Sequence, residues 1–96
     1  MGGEPLCDEN LFLTLLVLKE VKQRFPQVKI YLWTGYYYDE LIHKGNSHMA
    51  QALNLIEVLI DGPYVESKRD ITLPLRGSSN QSVINLKEKR NESKGK

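Results

Sequence analysis

Cysteine occurs once in this sequence, as Cys7. A single thiol excludes an intramolecular disulfide, and it is one ligand where a zinc or iron–sulfur site needs several. Long apolar runs are missing too. The longest, Leu11 to Leu18, is interrupted by Thr14 and falls far short of the ~20 residues that span a bilayer. The opening Met1-Gly2-Gly3-Glu4-Pro5 lacks the basic start and apolar stretch of a signal peptide, so the cytoplasm is the expected compartment. Charge of one sign is also scarce: 13 basic residues face 12 acidic ones, a net of +1. A nucleic-acid binder would show a clear basic excess. Neither a membrane nor a nucleic acid is therefore expected as a partner. His43 and His48 are five apart and do not share a helical face, so they are read as solvent-facing rather than as a metal pair.

What is present suits one small soluble domain. Of the 96 residues, 41% are hydrophobic and 26% charged, a composition that supports a core rather than disorder. The basic residues collect at the end. Residues 87–96 carry Lys87, Lys89, Arg90, Lys94 and Lys96 against Glu88 and Glu92. A charged stretch without apolar residues is expected to be a solvated, disordered tail.

The hydropathy pattern alternates helix and strand. Leu11, Leu15, Leu18, Val21 and Phe25 recur at helical spacing, with Asp8 as a cap and Pro26 as the stop. Phe12 and Leu16 widen that stripe, so other structure should cover the helix's front half. Lys29 to Thr34 reads as a strand ended by Gly35. Tyr38 to Lys44 and Met49 to Leu55 read as helices, and Val58 to Ile60 as a short buried strand closed by Asp61-Gly62-Pro63. Ser82 to Leu86 fits a strand, although Ser78 and Gln81 also fit a helix capping box. This order predicts an α/β fold with a parallel sheet, whose ligands bind beyond the carboxyl ends of the strands.

Three polar or glycine-rich segments lie where such a site would be. Gly2-Gly3-Glu4-Pro5 pairs backbone freedom with a carboxylate able to accept from an ammonium group; by itself it equally fits a flexible terminus. Trp33-Thr34-Gly35-Tyr36-Tyr37-Tyr38 offers aromatics that line a pocket or cap a core. Arg76-Gly77-Ser78-Ser79-Asn80-Gln81 suits an anion-holding loop or a helix cap.

Taken in order with Ile56-Glu57-Val58-Leu59-Ile60-Asp61-Gly62-Pro63-Tyr64, these segments resemble the activating proteins of anaerobic ribonucleoside-triphosphate reductases, a group of radical S-adenosylmethionine (SAM) enzymes. The resemblance runs from Gly2 to about Leu86. It implies that residues 1–86 are the C-terminal part of a radical SAM domain, an incomplete parallel sheet from a partial TIM-like barrel, with 87–96 as the tail. It implies SAM and a [4Fe-4S] cluster as cofactors and the reductase as partner. Such proteins cleave SAM reductively and use the resulting 5′-deoxyadenosyl radical to take a hydrogen from a glycine of the reductase. Gly2, Gly3, Glu4 and Pro5 match the segment that holds the amino group of SAM. The resemblance places Thr34, Gly35 and Tyr36 at the pocket. Arg76, Gly77, Ser78, Ser79, Asn80 and Gln81 fall near it or at the reductase-facing mouth.

One departure is large. The cluster of these proteins is held by a Cys-x3-Cys-x2-Cys loop upstream of Gly-Gly-Glu-Pro, and Cys7 is single and lies on the other side. No catalytic or metal-ligating residue is therefore assigned here, and the chain alone is expected to be inactive. Two alternatives stand beside truncation: half of a split activase whose separate N-terminal chain brings the cysteines, or a non-catalytic module that docks on the reductase. An unpaired strand edge is expected to promote association.

Overall fold

The computed structural model describes residues 4–94, and the side chains of residues 4–90. The chain opens with helix α1 (Asp8–Arg24), in which Leu11, Leu15 and Leu18 are buried as their spacing predicts. Asp8 and Glu9 sit at its positive end, Lys22 and Arg24 at its negative end. Past its C-terminus, the Lys22 ammonium donates to the Val28 carbonyl at 2.9 Å. Strand β1 (Tyr31–Trp33) follows, then helices α2 (Tyr38–His43) and α3 (Ser47–Leu55), strand β2 (Val58–Asp61), a short 3-10 turn (Glu66–Lys68), strand β3 (Ser82–Asn85) and helix α4 (Leu86–Lys94).

The strands lie in the order β1-β2-β3. β1 pairs with β2 in parallel, Tyr31 against Val58 and Trp33 against Ile60. All four residues of the central β2 are buried. Leu59 joins the main core with Leu6, Leu11, Leu15, Leu18, Leu41, Met49, Ala52, Ile56 and Leu86. By strand alternation Val58 and Ile60 turn to the opposite face of the sheet. α1 packs along α3 above the Leu59 face.

Asn46 starts α3. Its Oδ1 accepts from the amides of His48 (2.8 Å) and Met49 (3.3 Å), satisfying two donors that the first helical turn leaves unpaired. Asn46→Ala is expected to cost about 1 kcal/mol. In a domain of this size that lowers the thermal midpoint by roughly 4–8 °C, readable by circular dichroism.

Three expectations from the sequence change. The sheet is mixed rather than parallel, because β3 runs antiparallel to β2, with Asp61 opposite Ser82 and Val58 opposite Asn85. Residues 87–94, expected within a disordered tail, continue instead as α4, with Lys87, Glu88 and Lys89 exposed; residues 95–96 lie outside the described residues. The Asn85 side chain accepts from the Glu88 amide at 2.8 Å, and the Arg90 guanidinium donates to the carbonyls of Leu53 (3.1 Å) and Ile56 (3.3 Å), tying α4 to the end of α3. The Lys89 ammonium lies 5.4 Å from the centre of the Tyr38 ring. The front half of α1, expected to be covered, leaves Phe12, Leu13, Leu16 and Val17 exposed. Among the described residues, no helix is long and apolar enough to cross a membrane.

Candidate functional site

Parallel pairing brings the carboxyl ends of β1 and β2 to one edge of the sheet. Thr34-Gly35 leaves one strand there and Asp61-Gly62 the other. A shallow, open cleft of ≈ 390 Å³ lies at this edge. Its walls come from every segment that the sequence singled out: Glu4 and Pro5, then Trp33, Thr34 and Gly35, then Gly62 and Tyr64, then Gln81. A second hollow of ≈ 370 Å³, bounded by Leu41, Ile42, Met49 and Leu53, is apolar and contains none of those segments.

Long-range hydrogen bonds knit the cleft together. The Glu4 carboxylate accepts from the Thr34 hydroxyl (2.5 Å), the Gly35 amide (2.6 Å) and the Leu6 amide (3.0 Å). Gly35 leaves room for this: a Cβ there would stand 3.3 Å from Glu4 Oε1. The Gln81 amide does the same for the other wall. Its oxygen accepts from the amides of Gly77 (2.8 Å) and Ser78 (3.1 Å), and its nitrogen donates to the Gly62 carbonyl (2.9 Å). The apparent capping box of Ser78 and Gln81 is thus a loop closure leading into β3, not a helix start. Asp61, buried at the end of β2, accepts from the amides of Tyr38 (2.8 Å) and Ser82 (3.1 Å).

The excursion from Pro63 to Gln81 folds back over this edge. Fully buried Ser78 accepts from the Val65 amide and donates to Asn80. Asn80 in turn donates to the Pro63 carbonyl at 2.8 Å and the Tyr37 hydroxyl at 3.2 Å. Trp33 donates through its indole to the Leu75 carbonyl at 2.8 Å, and Leu75 adopts a left-handed φ of 64°. The Tyr64 ring covers Gly77, where a Cβ would come within 3.0 Å of it. The hydrogen bond to Glu66 pushes the Tyr64 phenol above its ordinary value, while bonds from Thr72 hold the Asp70 carboxyl below the usual range.

Of the residues expected at the site, Glu4, Pro5, Thr34, Gly35 and Gln81 line the cleft. Gly77, Ser78 and Asn80 shape its wall from behind, and the Arg76 guanidinium donates to the Gln81 carbonyl at 3.1 Å. Ser79 is turned outward, its amide donating to the Lys68 carbonyl. Tyr36 does not line the cleft; it packs on the core, with the Lys44 ammonium 4.9 Å from its ring centre. Gly2 and Gly3 lie outside the described residues. The structure adds Trp33, Gly62 and Tyr64 as lining residues. Trp33 belongs to the aromatic segment read from the sequence as able to line a pocket, and Gly62 and Tyr64 to the segment that follows β2.

A family model described as "4Fe-4S single cluster domain" matches residues 1–84, and the chain belongs to that family. Among curated proteins it is similar to the anaerobic ribonucleoside-triphosphate reductase-activating proteins of Salmonella typhi (41% identical over 86 residues) and Escherichia coli K12 (40% over 86). The counterpart of Enterobacteria phage T4 is 35% identical over 82 residues. These alignments cover 90%, 90% and 85% of this chain but 53%, 53% and 48% of the relatives, so the chain spans about half their length. No solved structure matches it.

The family's description names an iron–sulfur cluster, and these 96 residues do not fit one. Such clusters are held by several cysteine thiolates. Here the one cysteine, Cys7, is half-buried at the start of α1, and no three His, Cys, Asp or Glu side chains gather among the described residues.

Proposed function

We propose that this chain is the sheet-edge, SAM-holding portion of an activating protein for anaerobic ribonucleoside-triphosphate reductase. On this reading it generates the glycyl radical only when cluster ligands come from polypeptide beyond these 96 residues. The observation that carries the reading is the convergence of the Glu4-Pro5, Trp33–Gly35, Gly62–Tyr64 and Gln81 segments on one cleft. They are far apart in the chain, and they are the segments on which the likeness to activating proteins rests. The glycines at the strand ends suit close approach of a ligand to backbone. The parallel β1–β2 pair puts the cleft where α/β sheets bind ligands. The single thiol supports the dependence on a second source of ligands.

Anaerobic incubation of the 96-residue chain with iron and sulfide is expected to leave it without a [4Fe-4S] cluster and without release of 5′-deoxyadenosine from SAM. Titration with SAM is expected to change the fluorescence of Trp33, the one tryptophan in the sequence and part of the cleft wall. A cluster with SAM cleavage in the chain alone would overturn the dependence. A flat titration would overturn the assignment of the cleft.

A further inference from the structure

We propose that Glu4 is a positioning residue: its carboxylate clasps the N-terminal segment onto the end of β1 instead of meeting the ligand's ammonium group. The proposal deepens the reading of the cleft as a SAM site and rests on it. An ionised carboxylate offers about four acceptor positions. Three are already used inside the protein, by the Thr34 hydroxyl, the Leu6 amide and the Gly35 amide. The partners have little freedom to let go. Thr34 is buried, and its hydroxyl also accepts from the Tyr36 amide at 3.2 Å. Leu6 is fully buried in the core, so the bond to its amide fixes the chain just after Glu4. The Glu4 backbone is held as well, its carbonyl accepting from the Asn10 side chain (3.0 Å) and the Cys7 amide (3.4 Å).

The physical need is clear from the topology. Residues 4 to 6 belong to no helix or strand, so no ladder of backbone bonds sets their place. Charge-assisted bonds from one carboxylate to the neighbouring strand end do it instead. Thr34-Gly35 is then the receptor for Glu4, which gives two motifs 30 residues apart a common purpose. Ligand contact falls to backbone and to the other walls of the cleft.

The test uses the full 96-residue chain, labelled with nitrogen-15, and the variants Glu4→Gln, Thr34→Val and Thr34→Ser. A glutamine side chain keeps one acceptor oxygen but replaces the other with a donor, so the Leu6 and Gly35 amides, which sit on different oxygens, cannot both keep their acceptor. Glu4→Gln is expected to shift the Gly35 and Leu6 amide resonances and speed their hydrogen exchange about tenfold, with the β2 amides of Leu59 and Ile60 unmoved. In SAM titrations read by Trp33 fluorescence, Glu4→Gln and Thr34→Val should each raise Kd by about tenfold. The double variant should bind no more than about twofold more weakly than either single one, since both break the same link. Thr34→Ser, which keeps the hydroxyl, should restore binding. Weakened binding in Glu4→Gln with Thr34→Val unaffected would overturn the proposal, because the carboxylate would then be meeting SAM itself. Unmoved Gly35 and Leu6 amides in Glu4→Gln would overturn it too. Absence of SAM binding in the unsubstituted chain would sink the ligand reading, while the amide data would still decide the clasp.

Discussion

Leu59→Ala is expected to destabilise the chain by about 2–5 kcal/mol, the range for truncating a well-packed core leucine. Leu59 is fully buried at the middle of the central strand and belongs to the cluster that joins α1, α2, α3 and α4. Its neighbours in the sheet are Leu32 on one side and Ile84 on the other. A domain of 96 residues has a total stability of roughly 5–15 kcal/mol, so this loss removes a large share of it. Urea denaturation followed by circular dichroism reads the effect. Leu13→Ala is the control: Leu13 is 64% exposed on α1, and its truncation should stay within about 0.5 kcal/mol of the parent. Equal effects of the two changes would mean that the Leu59 face is not the core.

Gly62→Ala should cost about 1–3 kcal/mol from backbone strain alone, because Gly62 holds a φ of +95° that a side chain disfavours. Contact adds to it. A Cβ at Gly62 would fall 2.8 Å from Tyr37 Cε1, close enough that the ring must move. Tyr37 is in turn hydrogen-bonded to Asn80, and Gly62 bonds Tyr36 through its amide and Gln81 through its carbonyl. Displacing Tyr37 therefore disturbs both walls of the cleft. Gly45→Ala separates the two causes. Gly45 has a φ of +63° and nothing within 4 Å of its added Cβ, so it reports strain without contact. Gly62→Ala should be the more destabilising in urea denaturation, and it alone should weaken SAM-dependent change in Trp33 fluorescence. Matching losses from both glycines would show that Tyr37 yields freely.

Much of the local structure was legible. Of the expected α1 stripe, Leu11, Leu15 and Leu18 are buried because helical spacing puts them on one face, Val21 is half-buried, and Phe25, just past the helix end at Arg24, is exposed. Val58 to Ile60 is a buried strand, as an unbroken apolar run between turn residues predicts for the centre of a sheet. The direction of β3 was not legible. Ser82 to Asn85 pairs antiparallel to β2 because the excursion from Pro63 to Gln81 returns along its own edge instead of crossing over a helix, and no residue of the strand itself encodes that. The helix α4 was missed for a similar reason. Composition marks Lys87 to Lys94 as solvated, yet Arg90 and Lys89 find partners on α3 and Tyr38 that only packing supplies.

By itself the sequence determined the elements from α1 to β2, the glycine and aspartate turns at the strand ends, and the single thiol, because spacing, backbone freedom and ligand number are properties of residues and their near neighbours. Only the tertiary structure decided how the polar side chains of the site spend their hydrogen bonds. Glu4 meets Thr34 and Gly35, and Gln81 meets Gly62, across 19 to 31 residues of chain. Local periodicity carries no record of such meetings. They arise when the N-terminal segment and the loop before β3 fold onto the two strand ends, and they turn a carboxylate that looked free for a ligand into part of the wall.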